Sequence, residues 1–256
     1  MSVRALLEKI PCTGGVDSSN GGVECDVDSG DPFGVMRRAI TLVVLIAAFA
    51  AIPVSTAAPI TTCGLPGYSY AGLGGMSVAS GIGADISLNA PSRVQAGHVA
   101  VWVGLGGYGA GRNGTDAWIQ AGIITKAGFA STLYYEVTRP GYKPDLVELA
   151  PARLSHSYRI VVRELKRPGW WRVYVDGRAV TRPISLPGSH ARWEATATAE
   201  SWDGGEVVCN RFDAGFRSLE VRSSGGTWLP FGRSVTLEAP GYSVATRTLS
   251  SFRARG

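Results

Sequence analysis

The chain has 256 residues, with 25 Lys and Arg against 20 Asp and Glu and a formal net charge of +5. That length holds one or two domains, and 34 glycines and 14 prolines spread along it exclude a helical bundle or coiled coil. The basic excess forms no block. Arginines are scattered singly along alternating segments, which argues against a nucleic-acid-binding stripe.

The first 57 residues do not read as globular. Residues 1–35 are rich in Gly, Ser and Asp and carry no apolar period, so they read as a disordered extension ahead of a true start at Met36. Met36-Arg37-Arg38 is a basic segment, Ala39 to Val54 is an apolar run, and Ser55-Thr56-Ala57 supplies small residues for cleavage. This is the layout of a secretory signal peptide over 36–57. The run is short for a spanning helix and carries Pro53 near its end. A secreted product beginning near Ala58 is expected, with no lasting membrane association, a short linker over 58–67 and one domain over 68–256. Of the four cysteines, Cys12 and Cys25 precede the cleavage point and Cys63 and Cys209 follow it. An even pair in an oxidising compartment reads as one disulfide. There is no CxxC and no Cys/His set with zinc spacing, so neither a metal nor a cofactor is expected.

Beyond the leader, apolar and polar residues alternate in runs of strand length. In chain order these fall near 82–88, 98–104, 117–123, 132–138, 158–164, 170–175, 179–186, 193–201, 217–222, 234–237 and 242–249. Asp176-Gly177 separates two of them and is a hairpin-turn signal. No long helix-period stretch follows the leader. Many short strands with Gly-rich turns specify an all-β antiparallel sandwich.

Side chains of a strand alternate between two faces, so each run divides into two sets. In 193–201, Trp193, Ala195, Ala197 and Ala199 share one face, and Glu194, Thr196, Thr198 and Glu200 share the other. In 117–123, Ala117, Ile119 and Ala121 face a core while Trp118 and Gln120 face away. Val99, Val101 and Val103 oppose Trp102, and Leu133, Tyr135 and Val137 oppose Tyr134 and Glu136. If these strands are neighbours, one sheet face displays Trp102, Trp118, Gln120, Tyr134, Glu136, Thr196, Thr198 and Glu200. Aromatic walls with sparse polar groups suit an extended ligand. A carboxylate and an amide on one groove can hydrolyse a bond without metal, Cys or Ser: the first serves as base, the second steadies an oxyanion. His98, His156 and His190 lie on separate segments, and no Gly-x-Ser-x-Gly elbow is present, so a His-based site is not the reading. Asn113-Gly114-Thr115 is a glycosylation sequon in form and reads as a loop.

Six short segments then resemble the eqolisins, the glutamic peptidases. Tyr68-Ser69-Tyr70-Ala71-Gly72 is similar to the family's opening S-N-W-A-G. Trp102-Val103-Gly104-Leu105-Gly106-Gly107 is similar to W-V-G-I-x-G. Trp118-Ile119-Gln120-Ala121-Gly122 resembles the segment carrying the catalytic Gln. Tyr135-Glu136-Val137, with Pro140 beyond, resembles Y-E-W-Y-P. Ala199-Glu200-Ser201-Trp202 resembles the segment carrying the catalytic Glu, and Trp228-Leu229-Pro230-Phe231 resembles a later V-P-F. The chain departs from the pattern at Gly106 and Thr132, where the family has acids, at Ser201, where it has Asp, and at Tyr70, where it has Trp.

The resemblance implies a lectin-like (concanavalin A-like) sandwich of two bent seven-stranded sheets. It further implies a monomeric, secreted endopeptidase that cuts a polypeptide substrate at acidic pH. Glu200 would be general base and then acid, Gln120 the oxyanion stabiliser and Glu136 a supporting group. Two other readings use the same face. One is a member that binds peptide or glycan without cleaving it, and the other is a glycosidase with Glu136 and Glu200 as its carboxylate pair.

Overall fold

A computed structural model describes residues 67–205 and 208–256. The leader, most of the linker and Cys63 lie outside the described residues, and with them the expectations of export and of a Cys63–Cys209 disulfide.

Nearly all regular structure is strand. In chain order come β1 (Tyr68–Val78), β2 (Gly81–Arg93), β3 (His98–Gly107), β4 (Ala117–Lys126), β5 (Thr132–Thr138) and β6 (Asp145–Pro151). Then follow β7 (Tyr158–Glu164), β8 (Trp170–Val175), β9 (Arg178–Ala179), β10 (Ile184–Ser185) and β11 (Glu194–Trp202). The last are β12 (Arg211–Arg222), β13 (Trp228–Pro230), β14 (Ser234–Glu238), β15 (Ser243–Ala245) and β16 (Phe252–Arg255). Among the described residues the one helical piece is a 3-10 turn over Arg112–Gly114, and no helix is long and apolar enough to cross a membrane.

Two antiparallel sheets form a sandwich. The seven-stranded front sheet runs β14-β1-β11-β3-β4-β5-β6, and the nine-stranded back sheet runs β10-β8-β7-β2-β12-β16-β15, with β13 on β12 and β9 on β8. The back sheet thus exceeds the seven strands implied by the family resemblance, through short additions at its margins.

Period-two burial builds the core. Val99, Val101 and Val103 of β3, Ile119, Ala121 and Ile123 of β4, and Ala195, Ala197 and Ala199 of β11 are all at most 1% exposed. They meet Ile82, Ile86, Ile160, Val162, Val173 and Phe216 of the back sheet in one apolar cluster. Trp171 stacks on Trp193 with ring centroids 5.5 Å apart. Filling both inner faces with apolar side chains supplies most of the driving force for the sandwich.

Several elements depart from the sequence pattern. The run over 179–186 is interrupted between β9 and β10, where Pro183 offers no ladder N–H. The run over 242–249 shortens to β15, because Thr246 turns the backbone at φ 49°. β12 begins six residues before the expected 217. β1 and β6 have no counterpart among the expected strands. The Asp176-Gly177 turn is as read: both residues have positive φ (48° and 76°), as a two-residue hairpin loop between β8 and β9 requires.

Candidate functional site

The strands that carry the sequence-derived residues are neighbours, in the order β1-β11-β3-β4-β5. Their non-core side chains therefore share the outer face of the front sheet. That face has its own buried cluster, formed by Tyr70, Ala100, Trp102, Ile124, Tyr134 and Leu237. Glycines alternate with the large side chains on it. A Cβ at Gly122 would lie 1.9 Å from the Val101 carbonyl oxygen, and one at Gly72 would lie 2.4 Å from that of Ala197. Adjacent strands can close together on this side only because these positions lack a side chain, and that closure curves the sheet toward a groove.

Register fixes the relative heights of the polar groups. Gln120 lies opposite Glu136 on β5 and Gly104 on β3. Glu200 lies opposite Tyr70 on β1 and Ala100 on β3. Trp102 stands between them, opposite Thr198 and Gly122. Gln120 and Glu200 are thus on the two sides of the Trp102 indole. Both open into one cavity of about 160 Å³, whose walls include Tyr68, Tyr70, His98, Trp102, Tyr108, Trp118 and Glu136.

Each polar group has its own partner. Gln120 Nε2 donates to Tyr134 Oη at 3.3 Å, which sets the plane of the amide and leaves its second N–H to the cavity. Trp118 Nε1 donates to Glu136 Oε1 at 2.7 Å. Tyr70 is hydrogen-bonded to Glu200, and His98 Nε2 sits 3.3 Å from Glu200 Oε1. Among the described residues no hydrogen bond joins Gln120 to Glu200 directly.

Burial governs the electrostatics. Glu136 is pushed above the usual carboxylate range, first by desolvation and then by the neighbouring Glu200 charge; the Trp118 hydrogen bond and His98 oppose the rise. The Tyr68, Tyr70, Tyr108 and Tyr134 hydroxyls are all held up, by burial first and by Glu200 second. They stay protonated across any ordinary pH, Tyr70 beside Glu200 and Tyr134 accepting from Gln120.

Of the residues picked out in the sequence, Trp102, Trp118, Gln120, Glu136 and Glu200 line the cavity. Tyr134, Thr196 and Thr198 lie beneath it, at most 2% exposed. Thr198 Oγ1 donates to the Ala199 carbonyl, while Thr196 Oγ1 and Trp102 Nε1 are buried without a hydrogen-bond partner among the described residues. Thr196 faces Gln120 across Gly104, so a spare hydroxyl underlies the amide.

The departures from the family pattern find local reasons. Gly106 has φ 88°, and a Cβ there would lie 2.4 Å from the Ala117 carbonyl oxygen, so this turn of backbone does not admit an acidic residue. Thr132 donates to Glu148 of β6, which also pairs with Lys126. Ser201 points to the core side and accepts from Asn210 Nδ2 at 3.1 Å.

Sequence reasoning missed His98 and Tyr108 and did not place Tyr68 in a strand. The signal for His98 was present, since it lies two residues before Ala100 and four before Trp102, on the same face. Among the described residues no cluster of His, Cys, Asp and Glu could hold a metal ion.

No family model matches this chain, and no curated protein matches it. Solved structures match in fold. The chain is similar to scytalido-glutamic peptidase with a transition state analog inhibitor, at 15% identity and a TM-score of 0.56, over 73% of this chain and 97% of that one. A second structure of that peptidase, with a peptide-based transition state analog, gives 14% identity and a TM-score of 0.55, over 74% and 97%. SCP-B, a member of the eqolisin family of peptidases in a complex with the tripeptide Ala-Ile-His, gives 14% identity and a TM-score of 0.50, over 74% and 97%. At such identities the likeness is one of fold.

Proposed function

We propose that the protein is a secreted glutamic endopeptidase that hydrolyses peptide bonds at acidic pH through Gln120 and Glu200. The observation that carries this reading is the meeting of Gln120, Glu200 and Glu136 in one aromatic-walled cavity, on a sandwich that shares its fold with glutamic peptidases. Glu200, ionised, takes a proton from a water molecule as that water attacks the scissile carbonyl. The Gln120 N–H not engaged by Tyr134 donates to the oxygen as it becomes negative. Glu200 then returns its proton to the leaving amine, and the bond breaks. Glu136, with its proton retained, is a neutral donor beside the dyad. Export through the 36–57 leader and a Cys63–Cys209 disulfide belong to the same reading, and mass mapping of unreduced secreted protein tests both.

A second reading has one observation in its favour. Trp102 separates Gln120 from Glu200 in register, which suits a groove that holds a peptide or glycan without cutting it. Incubating the protein with casein between pH 2 and 7, with and without chelator and serine- and cysteine-protease inhibitors, decides between them. Cleavage at acid pH that resists all three agents is expected. Folded protein that binds but never cleaves establishes the second reading instead.

A further inference from the structure

His98 opens β3 on the groove face, with its Nε2 3.3 Å from Glu200 Oε1. Its side chain is 18% exposed and that of Glu200 9%. The imidazole is held in place by edge-on and tilted ring contacts. Its centroid lies 5.4 Å from the Trp202 ring and 6.4 Å from that of Tyr68, which itself stacks on Trp202 at 6.3 Å. Register places Trp202 directly opposite His98 on β11 and opposite Tyr68 on β1, so three neighbouring strands fix the ring.

We propose that His98 is the positioning residue of this groove: it engages Glu200 Oε1 and so fixes which carboxylate oxygen is turned toward the cavity. This inference rests on the peptidase reading for its catalytic consequence, and on geometry alone for the pairing itself.

Two acids share the cavity, Glu136 on β5 and Glu200 on β11, and like charges in one small site resist ionising together. Some asymmetry must choose which keeps its proton. Glu136 receives only the neutral Trp118 N–H, and burial together with Glu200 holds it toward the protonated form. Glu200 has the His98 ring in direct contact, at 3.3 Å. The other charged or titratable groups around His98 do not compete for that role. Lys126, its register partner on β4, is paired with Glu148 of β6. Tyr68 and Tyr70 of β1 and Tyr108 are hydroxyls held protonated. His98 is thus set to orient Glu200 and Trp118 to orient Glu136, so the two carboxyls are held by different partners. With Oε1 engaged by His98, the other oxygen of Glu200 is the one available to a water molecule.

The test has two arms on the full secreted chain. First, kcat/KM on an unfolded casein-derived peptide is followed from pH 3 to 7 for wild type, His98→Gln and His98→Ala. His98→Gln keeps an N–H donor in reach of Glu200 Oε1 and is expected to stay within about threefold of wild type. His98→Ala loses the donor and is expected to lose about tenfold across the range. A His98→Ala profile that overlays wild type, or a His98→Gln profile that falls as far as that of His98→Ala, overturns the proposal. Second, the histidine ring resonances are recorded by NMR at one pH in wild type and in Glu200→Gln, without substrate. Loss of the carboxylate is expected to move the His98 resonances and leave those of His190 in place. Unmoved His98 resonances overturn the pairing. If wild type cleaves nothing, the peptidase reading fails, and the NMR arm still decides whether His98 and Glu200 are coupled.

Discussion

Two histidine–glutamate pairs occupy opposite sides of the sandwich, and they differ in what surrounds the carboxylate. In the back sheet, Glu164 at the end of β7 is 5% exposed and accepts the Gly169 backbone N–H at 2.6 Å and the His190 Nδ1 at 2.9 Å. Its oxygens are occupied by the turn between β7 and β8 and by the His190 ring. In the front sheet, Glu200 is similarly buried, at 7%, but its partners are the Tyr70 hydroxyl and the His98 ring, both side chains. It faces a space shared with Gln120 and a second carboxyl group. The same two residue types thus make a turn lock in one place and a cavity-facing carboxyl in the other. Backbone partners fix a carboxylate for structure, whereas side-chain partners around a void leave it something to do.

The sharpest break between the two pairs comes from removing each carboxylate's charge. Glu200→Gln is expected to lower peptidase activity by about 10²–10⁴-fold while folding normally. Glu164→Gln in the same assay is expected to leave activity intact, and casein cleavage by both variants makes the comparison. Activity surviving in Glu200→Gln would end the assignment of the base. Gln120→Ala, which removes a donor from the front site alone, is expected to cost about 10²–10³ in kcat and to leave the melting temperature nearly unchanged.

Stability inverts the order. Glu164→Ala leaves the Gly169 N–H buried without an acceptor and should cost about 1–3 kcal/mol, read as a lower urea midpoint with an unchanged slope. The smallest effect concerns Glu136. Because burial raises its protonation range, folding favours the neutral form. Its contribution to stability is fullest below the unfolded carboxylate range and falls as pH rises through the raised value. Glu136→Gln, always neutral, should therefore gain melting temperature relative to wild type as pH rises from 4 to 7, with only a few-fold change in activity. A constant difference across that range would show that Glu136 titrates as it does unfolded.

Much of this arrangement was legible because strand faces can be read two residues at a time. The valines of β3, the alanines of β11 and the Trp118/Gln120 set of β4 each defined a core side and an outer side, and those strands turned out adjacent. β1 was opaque because Gly72, Gly74 and Gly75 erase the alternation, although those glycines are what brings β1 against β11. β6 was hidden by a charged start at Asp145 and two exposed residues at its end. The partner of Glu200 was hidden for another reason. His98 and Glu200 are 102 residues apart, and only the β3–β11 pairing joins them. Periodicity tells which way a side chain points, and carries no information on which distant strand lies alongside.

Gly106 sets a direction on change at this site. Its left-handed backbone and the Ala117 carbonyl 2.4 Å from where a Cβ would sit mean that a single codon cannot place an aspartate there without remaking the turn into β4. Glycine is easily kept and hard to leave, so the position works as a one-way valve. Any acidic group added to this part of the groove has to be carried by a neighbouring position rather than by residue 106.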